Sequence, residues 1–485
     1  MSENAEKRNP GDLRAWLKAV EAKDALRKVS GANADLEIGR ITEINNARPS
    51  PRALLFENIP GINGRVLTSA ASSVDTLSEA LGLQAKSVAE LIGQLRGGKL
   101  RQWIQQAADD RFEWVDTGPV AENVAIGADI DVNAYPAPFW REFDGGRFIG
   151  TGCAVITQDP ENGTFNSGAY RSMVQDRNHV TVLFGAESRH GRQHQLKWLK
   201  QGKRCPVVLS VGHDPLFSIL SGIEVPENIF ELDVAGCVLG RKTRMIKGRI
   251  TGLPIPADAE LVLEGWMGEE RAPEGPFGEF LGYYASGGEP APLVTVEAIY
   301  HRNNPIVLGS PPGKPPHDLS FYFSTMRSAL LHDQIQAAGV PDVQAVWADE
   351  IGGGRLLITV AIKQRYFGHS RQAGLIASQC QAGVYLGRYV IVVDHDIDPT
   401  NIQEVMWAFA TRTDPTSDIL TFDKSLGSKA DPMQHLYEAG TMYSGRAVID
   451  ACRPFKDLAD FPIVAATPKD KLDEVRSKWR HIWES

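Results

Sequence analysis

The chain has 485 residues, of which 42% are apolar, 23% charged and 8% aromatic, the make-up of a globular protein with room for two or three domains rather than of a disordered or fibrous one. A formal charge of −9 and a pI near 5.7 argue against a nucleic-acid binder, which needs a concentrated excess of Lys and Arg. Five cysteines (Cys153, Cys205, Cys237, Cys380 and Cys452), far apart, odd in number and nowhere spaced C-x-x-C, suggest neither a disulfide framework nor a zinc knuckle and fit a reducing cytoplasm.

The N-terminus is polar and then amphipathic, without an apolar signal core, and no run approaches the roughly eighteen apolar residues of a membrane span, so neither secretion nor membrane insertion is expected. Residues 10–28, opening on Pro10 and Asp12 with Leu13, Trp16, Leu17, Val20 and Leu26 at helical spacing, predict a capped helix. Residues 74–107 predict helices broken at Gly97 and Gly98. Together these give an α/β domain over 1–115. From about 120 to 305 the texture changes to short β-branched runs such as CAVITQD, HVTVLF, CPVVLSVG and AELVLEGWM, separated by turn residues, with GRQHQLKWLKQGK one of few helices. That pattern predicts a barrel or sandwich domain over 116–318. A linker helix over 319–337 then leads into strands alternating with helices (VQAVWADE, RLLITVAIK, 369–382, YVIVVDHD, 401–412), a second α/β domain over 338–485. Its last helix carries Leu472, Val475, Trp479 and Ile482 along one side, a face suited to docking on a neighbouring surface.

Three strings carry chemistry. Glu274-Gly-Pro-Phe-Gly-Glu279 fixes two carboxylates on a rigid turn, where neighbouring acids can raise one another's pKa and leave one able to hold a proton; two solvated loop acids is the plain alternative. Asn166-Ser-Gly-Ala-Tyr-Arg171 presents a neutral oxygen ligand and a permanent cation from one segment, or else a surface turn with a salt-bridging Arg. His190 and His194 are four apart, but the Glu of H-E-x-x-H is missing, so a zinc hydrolase is not expected. His190 alone among oxygen donors such as Asn166 and Glu231 would suit Mn²⁺ or Mg²⁺ better than zinc; a histidine with a purely structural role is the plain alternative. GGRFIGTG leads into a strand and is no dinucleotide fingerprint; GSPPGKPP lacks the Ser or Thr of a P-loop; IGGGRLL reads as a hairpin turn.

In order and spacing, NSGAYR, RHGRQHQLKWLKQGK, PENIFELDVAG, AELVLEG, EGPFGE and VVDHDIDPTNIQEVMWAFATRTDP resemble the UbiD family of decarboxylases. The resemblance implies a split β-barrel flavin-binding domain between an N-terminal α/β domain and a C-terminal α/β domain used in oligomerisation, as a homodimer or homohexamer. It implies prenylated FMN, supplied by a UbiX-type flavin prenyltransferase, as the electron sink for a carbanion that no side chain can stabilise. It implies Arg171, Glu274 and Glu279 as the catalytic network with Glu279 donating the proton, and Asn166, His190 and Glu231 as ligands of Mn²⁺, with K⁺ near Ser221 and Glu231. Ser167, Arg171, Arg189, Ser221, Ile223 and Arg446 would join them around the cofactor; relatives often carry a Lys where Arg446 stands, and Arg changes the geometry. A pocket of Ala186, Arg189, Phe280, His317, Asp318 and Ser320 favours an aromatic or heteroaromatic acid as substrate. A non-catalytic flavin-binding or carrier subunit is the competing reading, disfavoured because a carrier has no need of Glu279.

Overall fold

Asp12 starts the first helix, Leu13–Ala22, by accepting the Ala15 N–H. The helix buries Leu13, Trp16, Leu17 and Val20, each such side chain contributing about 1.5–3 kcal/mol. The computed structural model describes residues 8–223, 225–285, 288–434 and 441–483. The helix expected to run to residue 28 stops at Ala22: Asp24 takes a positive φ of 57°, and Leu26–Ser30 pairs as a parallel strand with Ala53–Glu57. The second helical stretch is three helices, Val74–Ala80, Val88–Leu95 and Lys99–Ala107. Gly97 and Gly98, at φ of 70° and 73°, make the break before the last.

The N-terminal sheet orders its strands Leu26–Ser30, Ala53–Glu57, Arg65–Thr68 and Ile306–Leu308. Its fourth strand arrives from far along the chain, parallel to the third. The central sheet is antiparallel and seven-stranded. It runs His179–Thr181, Pro290–His301, Leu261–Pro273, Cys205–Gly212, Ala154–Gln158, Phe165–Gly168, with Asn123–Ile126 also paired to Pro290–His301. Its pairing forms no closed ring among the described residues. Helix His190–Lys200 lies against it, and the strand Cys205–Gly212 is buried along its whole length.

Helix Ser320–Ala337 joins this body to a five-stranded mixed sheet ordered Val343–Ala348, Leu357–Ile362, Tyr389–Asp394, Tyr443–Ala451, Ile419–Leu426. The three central strands are parallel to one another, the two edge strands antiparallel to them, and the trio is covered on both faces, as parallel strands require. Val390 and Val392 face Ala373 and Ala377, while Ile391 and Val393 face Val405 and Ala408. IGGGRLL is indeed the turn of an antiparallel pair, with Gly353 and Gly354 at positive φ. The terminal segment forms helices Lys469–Lys478 and Arg480–Trp483, and Leu472, Val475, Trp479 and Ile482 remain exposed on it; residues 484–485 lie outside the described residues. Among the described residues no helix is long and apolar enough to cross a membrane.

Candidate active site

Arg171 stands just past the strand Phe165–Gly168, and the EGPFGE loop leaves the long strand Leu261–Pro273. They meet across 103 residues of chain. Arg171 Nε donates to Glu274 Oε1 at 2.6 Å and Nη2 to Oε2 at 2.9 Å, a two-pronged bond, while Nη1 donates to Glu279 Oε1 at 3.2 Å. Glu274 is 1% exposed and Glu279 19%. Burial works against the guanidinium charge, but the bonds and charges of Glu274 and Glu279 outweigh it and raise the Arg171 pKa. The Arg171 guanidinium also lies 5.4 Å from the Phe277 ring centre.

Phe277 anchors the loop: it is fully buried, with its ring 4.0 Å from that of Phe148. Gly275 needs its φ of 85°, which few other residues adopt. Beneath it, Gly145 N–H donates to the Pro276 carbonyl at 2.7 Å, and a Cβ on Gly145 would collide with the Gly275 carbonyl. The glycines of GGRFIGTG are thus places where other segments approach: Gly145 meets Gly275, Gly150 meets Ser172, and Gly152 meets Leu308.

A second cluster forms where two helices begin. Asn166 sits on Phe165–Gly168, His190 opens helix His190–Lys200 and Glu231 opens helix Glu231–Leu239. Ser167 N–H donates to Glu231 Oε2 at 2.6 Å, Ser167 Oγ lies 2.7 Å from Ser221 Oγ, and Ala169 N–H donates to the Ser221 carbonyl. The Tyr170 hydroxyl accepts the Gly191 N–H at 3.3 Å, next to His190. Burial first, then the like charge of Asp233, pushes the Glu231 pKa up to about 8 against its backbone bonds. Asn166 Nδ2 is buried without a hydrogen-bond partner. A buried carboxylate that would gain from a cation, bonded to the residue after Asn166 and near the start of the helix that His190 opens, could be joined by the Asn166 oxygen and the His190 imidazole, a donor set of the kind that suits a hard divalent ion. Among the described residues no three His, Cys, Asp or Glu side chains gather, so that fit depends on the Asn166 amide. Helix starts also favour phosphate. His194 points elsewhere: it is 1% exposed, with Nδ1 2.9 Å from Thr157 Oγ1.

The residues expected around the substrate split into two groups. Ala186 and Arg189 are exposed ahead of helix His190–Lys200. Phe280, His317, Asp318 and Ser320 come together. His317 Nε2 donates to the Phe280 carbonyl at 3.0 Å and Nδ1 accepts the Leu319 N–H, which fixes the neutral tautomer; burial lowers its pKa to about 4. Asp318 accepts from Ser69 N–H and from Asn46 Nδ2 at 2.9 Å, and burial raises it to about 6. Ser320 Oγ donates to Glu350 Oε2 at 2.6 Å, bringing an acid of the C-terminal sheet region to this wall, with burial raising its pKa to about 7. Ile223 is half-buried after Ser221. Arg446 is held inside the C-terminal sheet by the carbonyls of Val384 and Leu426 and by Ser444 Oγ. Sequence reasoning missed Asn46, Glu350 and Asp144, whose partners lie too far along the chain for any local pattern to join them.

Family models match along most of the chain: the 3-octaprenyl-4-hydroxybenzoate carboxy-lyase N-terminal domain over residues 17–96, the Rift-related domain of the same enzyme over 113–315 and its C-terminal domain over 320–451. A pyrrole-2-carboxylic acid decarboxylase of Pseudomonas aeruginosa is 32% identical over 443 residues, 87% of each chain. The vanillic acid decarboxylase of Sedimentibacter hydroxybenzoicus in open form superposes with a TM-score of 0.83 at 26% identity, over 99% of this chain and all of that one. The UbiD-class enzyme HmfF of Pelotomaculum thermopropionicum in complex with FMN gives 0.83 at 26% identity, over 95% and 99%; an evolved dimeric form of HmfF has been solved with prFMN.

Proposed function

The chain belongs to the UbiD family of carboxy-lyases, and from that membership we propose that it reversibly removes carbon dioxide from an aromatic, heteroaromatic or α,β-unsaturated carboxylic acid, with prenylated FMN as cofactor. The observation that carries this reading is one guanidinium holding two carboxylates of a single loop, Glu274 by both oxygens and Glu279 by one. Losing carbon dioxide from an sp² carbon leaves an unstabilised carbanion, and the bound flavin supplies the electron sink.

This chain's own residues do the rest. Glu274 fixes the plane of Arg171, which draws the substrate carboxylate into a buried setting that hydrates it poorly. Glu279, less buried and sharing a single oxygen with Arg171, holds the proton for the carbon that carbon dioxide leaves. Asn166, His190 and Glu231 would hold Mn²⁺, with K⁺ beside Ser221 and Glu231, and Ser167, Arg189, Ile223 and Arg446 would complete the cofactor's surroundings. His317, with both ring nitrogens committed, acts as a hydrogen-bonded wall rather than as a base. A UbiX-type prenyltransferase supplies the flavin, and the enzyme works in the cytoplasm as a homodimer or homohexamer; the exposed apolar row of the terminal helices supports contact between copies.

Co-expression with a flavin prenyltransferase should yield a coloured protein that releases carbon dioxide from at least one member of a panel of aromatic acids. Glu279→Gln should keep the colour and cut turnover by about 10²–10⁴-fold, the usual worth of a general acid. A colourless product inert towards every acid would overturn the reading, and full activity of E279Q would remove that residue from its role.

A further inference from the structure

The turn carrying Glu279 closes on itself: Gly282 N–H donates to the Glu279 carbonyl at 2.8 Å, and Glu279 N–H donates to the Tyr283 carbonyl at 2.9 Å. Its outgoing arm is tied down by the next residue. The Tyr284 hydroxyl donates to Asp144 Oδ1 at 3.0 Å, and Asp144 Oδ2 accepts the Arg141 N–H at 2.9 Å. Asp144 is 6% exposed, and its neighbour Gly145 is already locked under Gly275 and Pro276. One short segment, 141–145, therefore grips the catalytic loop at both ends, by backbone before Phe277 and by side chain after Glu279. Burial raises the Asp144 pKa to about 6, so near pH 7 the group is mostly the carboxylate, the stronger acceptor for a phenol.

We infer that Tyr284 and Asp144 are positioning residues for the proton donor: their hydrogen bond holds the Tyr283–Tyr284 arm and, through the Tyr283 carbonyl, the backbone that sets Glu279 against Arg171. The inference rests on the role proposed for Glu279. Tyr284→Phe keeps the ring and removes the bond. In the cofactor-free protein, hydrogen–deuterium exchange of the peptide spanning 277–284 should then quicken by about tenfold, the worth of one hydrogen bond to a charged group. In the loaded enzyme kcat should fall by a similar factor with KM within about twofold. Phe143→Ala, which removes an exposed ring 6.1 Å from Tyr284 but no bond to the loop, should change neither. Wild-type exchange in Y284F overturns the inference, as does a loss carried by KM alone or one that F143A reproduces. If Y284F does not fold, Asp144→Asn is measured in the same way. Because the exchange needs neither cofactor nor substrate, it decides the clamp even where the decarboxylase reading itself fails.

Discussion

Arg171 gives three N–H groups to two acids, and only a planar fork can do so: Nε and Nη2 grip Glu274, and Nη1 reaches Glu279. A lysine would keep the charge as a point and lose the plane, so the distance to Glu279 would no longer be set by Glu274. Arg171→Lys should therefore lower kcat by about a hundredfold, the cost of misplacing a reacting group by roughly an ångström. Steady-state kinetics check this, with flavin absorbance showing that the cofactor remains bound. An unchanged kcat would mean that charge alone suffices. The residue types of this network were legible in NSGAYR and EGPFGE, because acids bracketing Gly-Pro and an Arg after a Gly turn announce chemistry. Their meeting was not, since nothing local in either string specifies a partner 103 residues away.

At the scale of elements, what holds the loop still is close approach of backbones rather than regular structure. Gly145 is the contact point, and its missing Cβ would fall on the Gly275 carbonyl, which cannot swing aside as a flexible side chain would. Gly145→Ala should push the Glu274–Glu279 loop off Arg171, lowering kcat by about tenfold or more and the thermal midpoint with it; assay and scanning calorimetry on the same sample check both. A full-activity G145A would show that the loop has slack. The same contrast explains which elements could be read in advance. Helices with their own cap were legible, as where Asn401 caps Ile402–Arg412 through the Gln403 N–H, and Ser320–Ala337 matches its expected span although no side chain caps it. Leu26 fell on the helical period by chance, and only its pairing with Ala53 decides it as a strand. The strand Ile306–Leu308 joins the N-terminal sheet by long-range pairing that no window of sequence contains.

Across the whole molecule, the N-terminal segment around the first helix is stitched to the central body by ion pairs to buried acids. Arg8 Nε donates to Asp214 at 2.7 Å, and Arg14 grips Glu260 at 2.8 and 2.9 Å, both acids having fully buried side chains. Beside this seam sits His213, fully buried, its Nδ1–H donating to the Asp214 carbonyl at 2.9 Å. Burial lowers its pKa from 6.5 to about 4. The unfolded chain takes up that proton near pH 6.5 and the folded chain refuses it until about 4, so the stability from neutral His213 is full above pH 6.5 and is lost as pH falls towards 4. Asp318 and Glu350, raised to about 6 and about 7 by burial, act in the opposite sense, weakening the fold as pH rises through the same range. A wild-type profile therefore mixes the two. His213→Asn separates them, because its amide N–H can replace the bond to the Asp214 carbonyl without titrating. Between pH 7 and pH 5 the wild type should lose about 2 kcal/mol relative to H213N, one and a half pH units at about 1.4 kcal/mol each. Urea midpoints of the two proteins at both pH values measure the gap. A gap that stays constant would mean that the folded protein accepts the proton at its ordinary pKa, and that the seam beside the N-terminal helix is wetter than its packing implies.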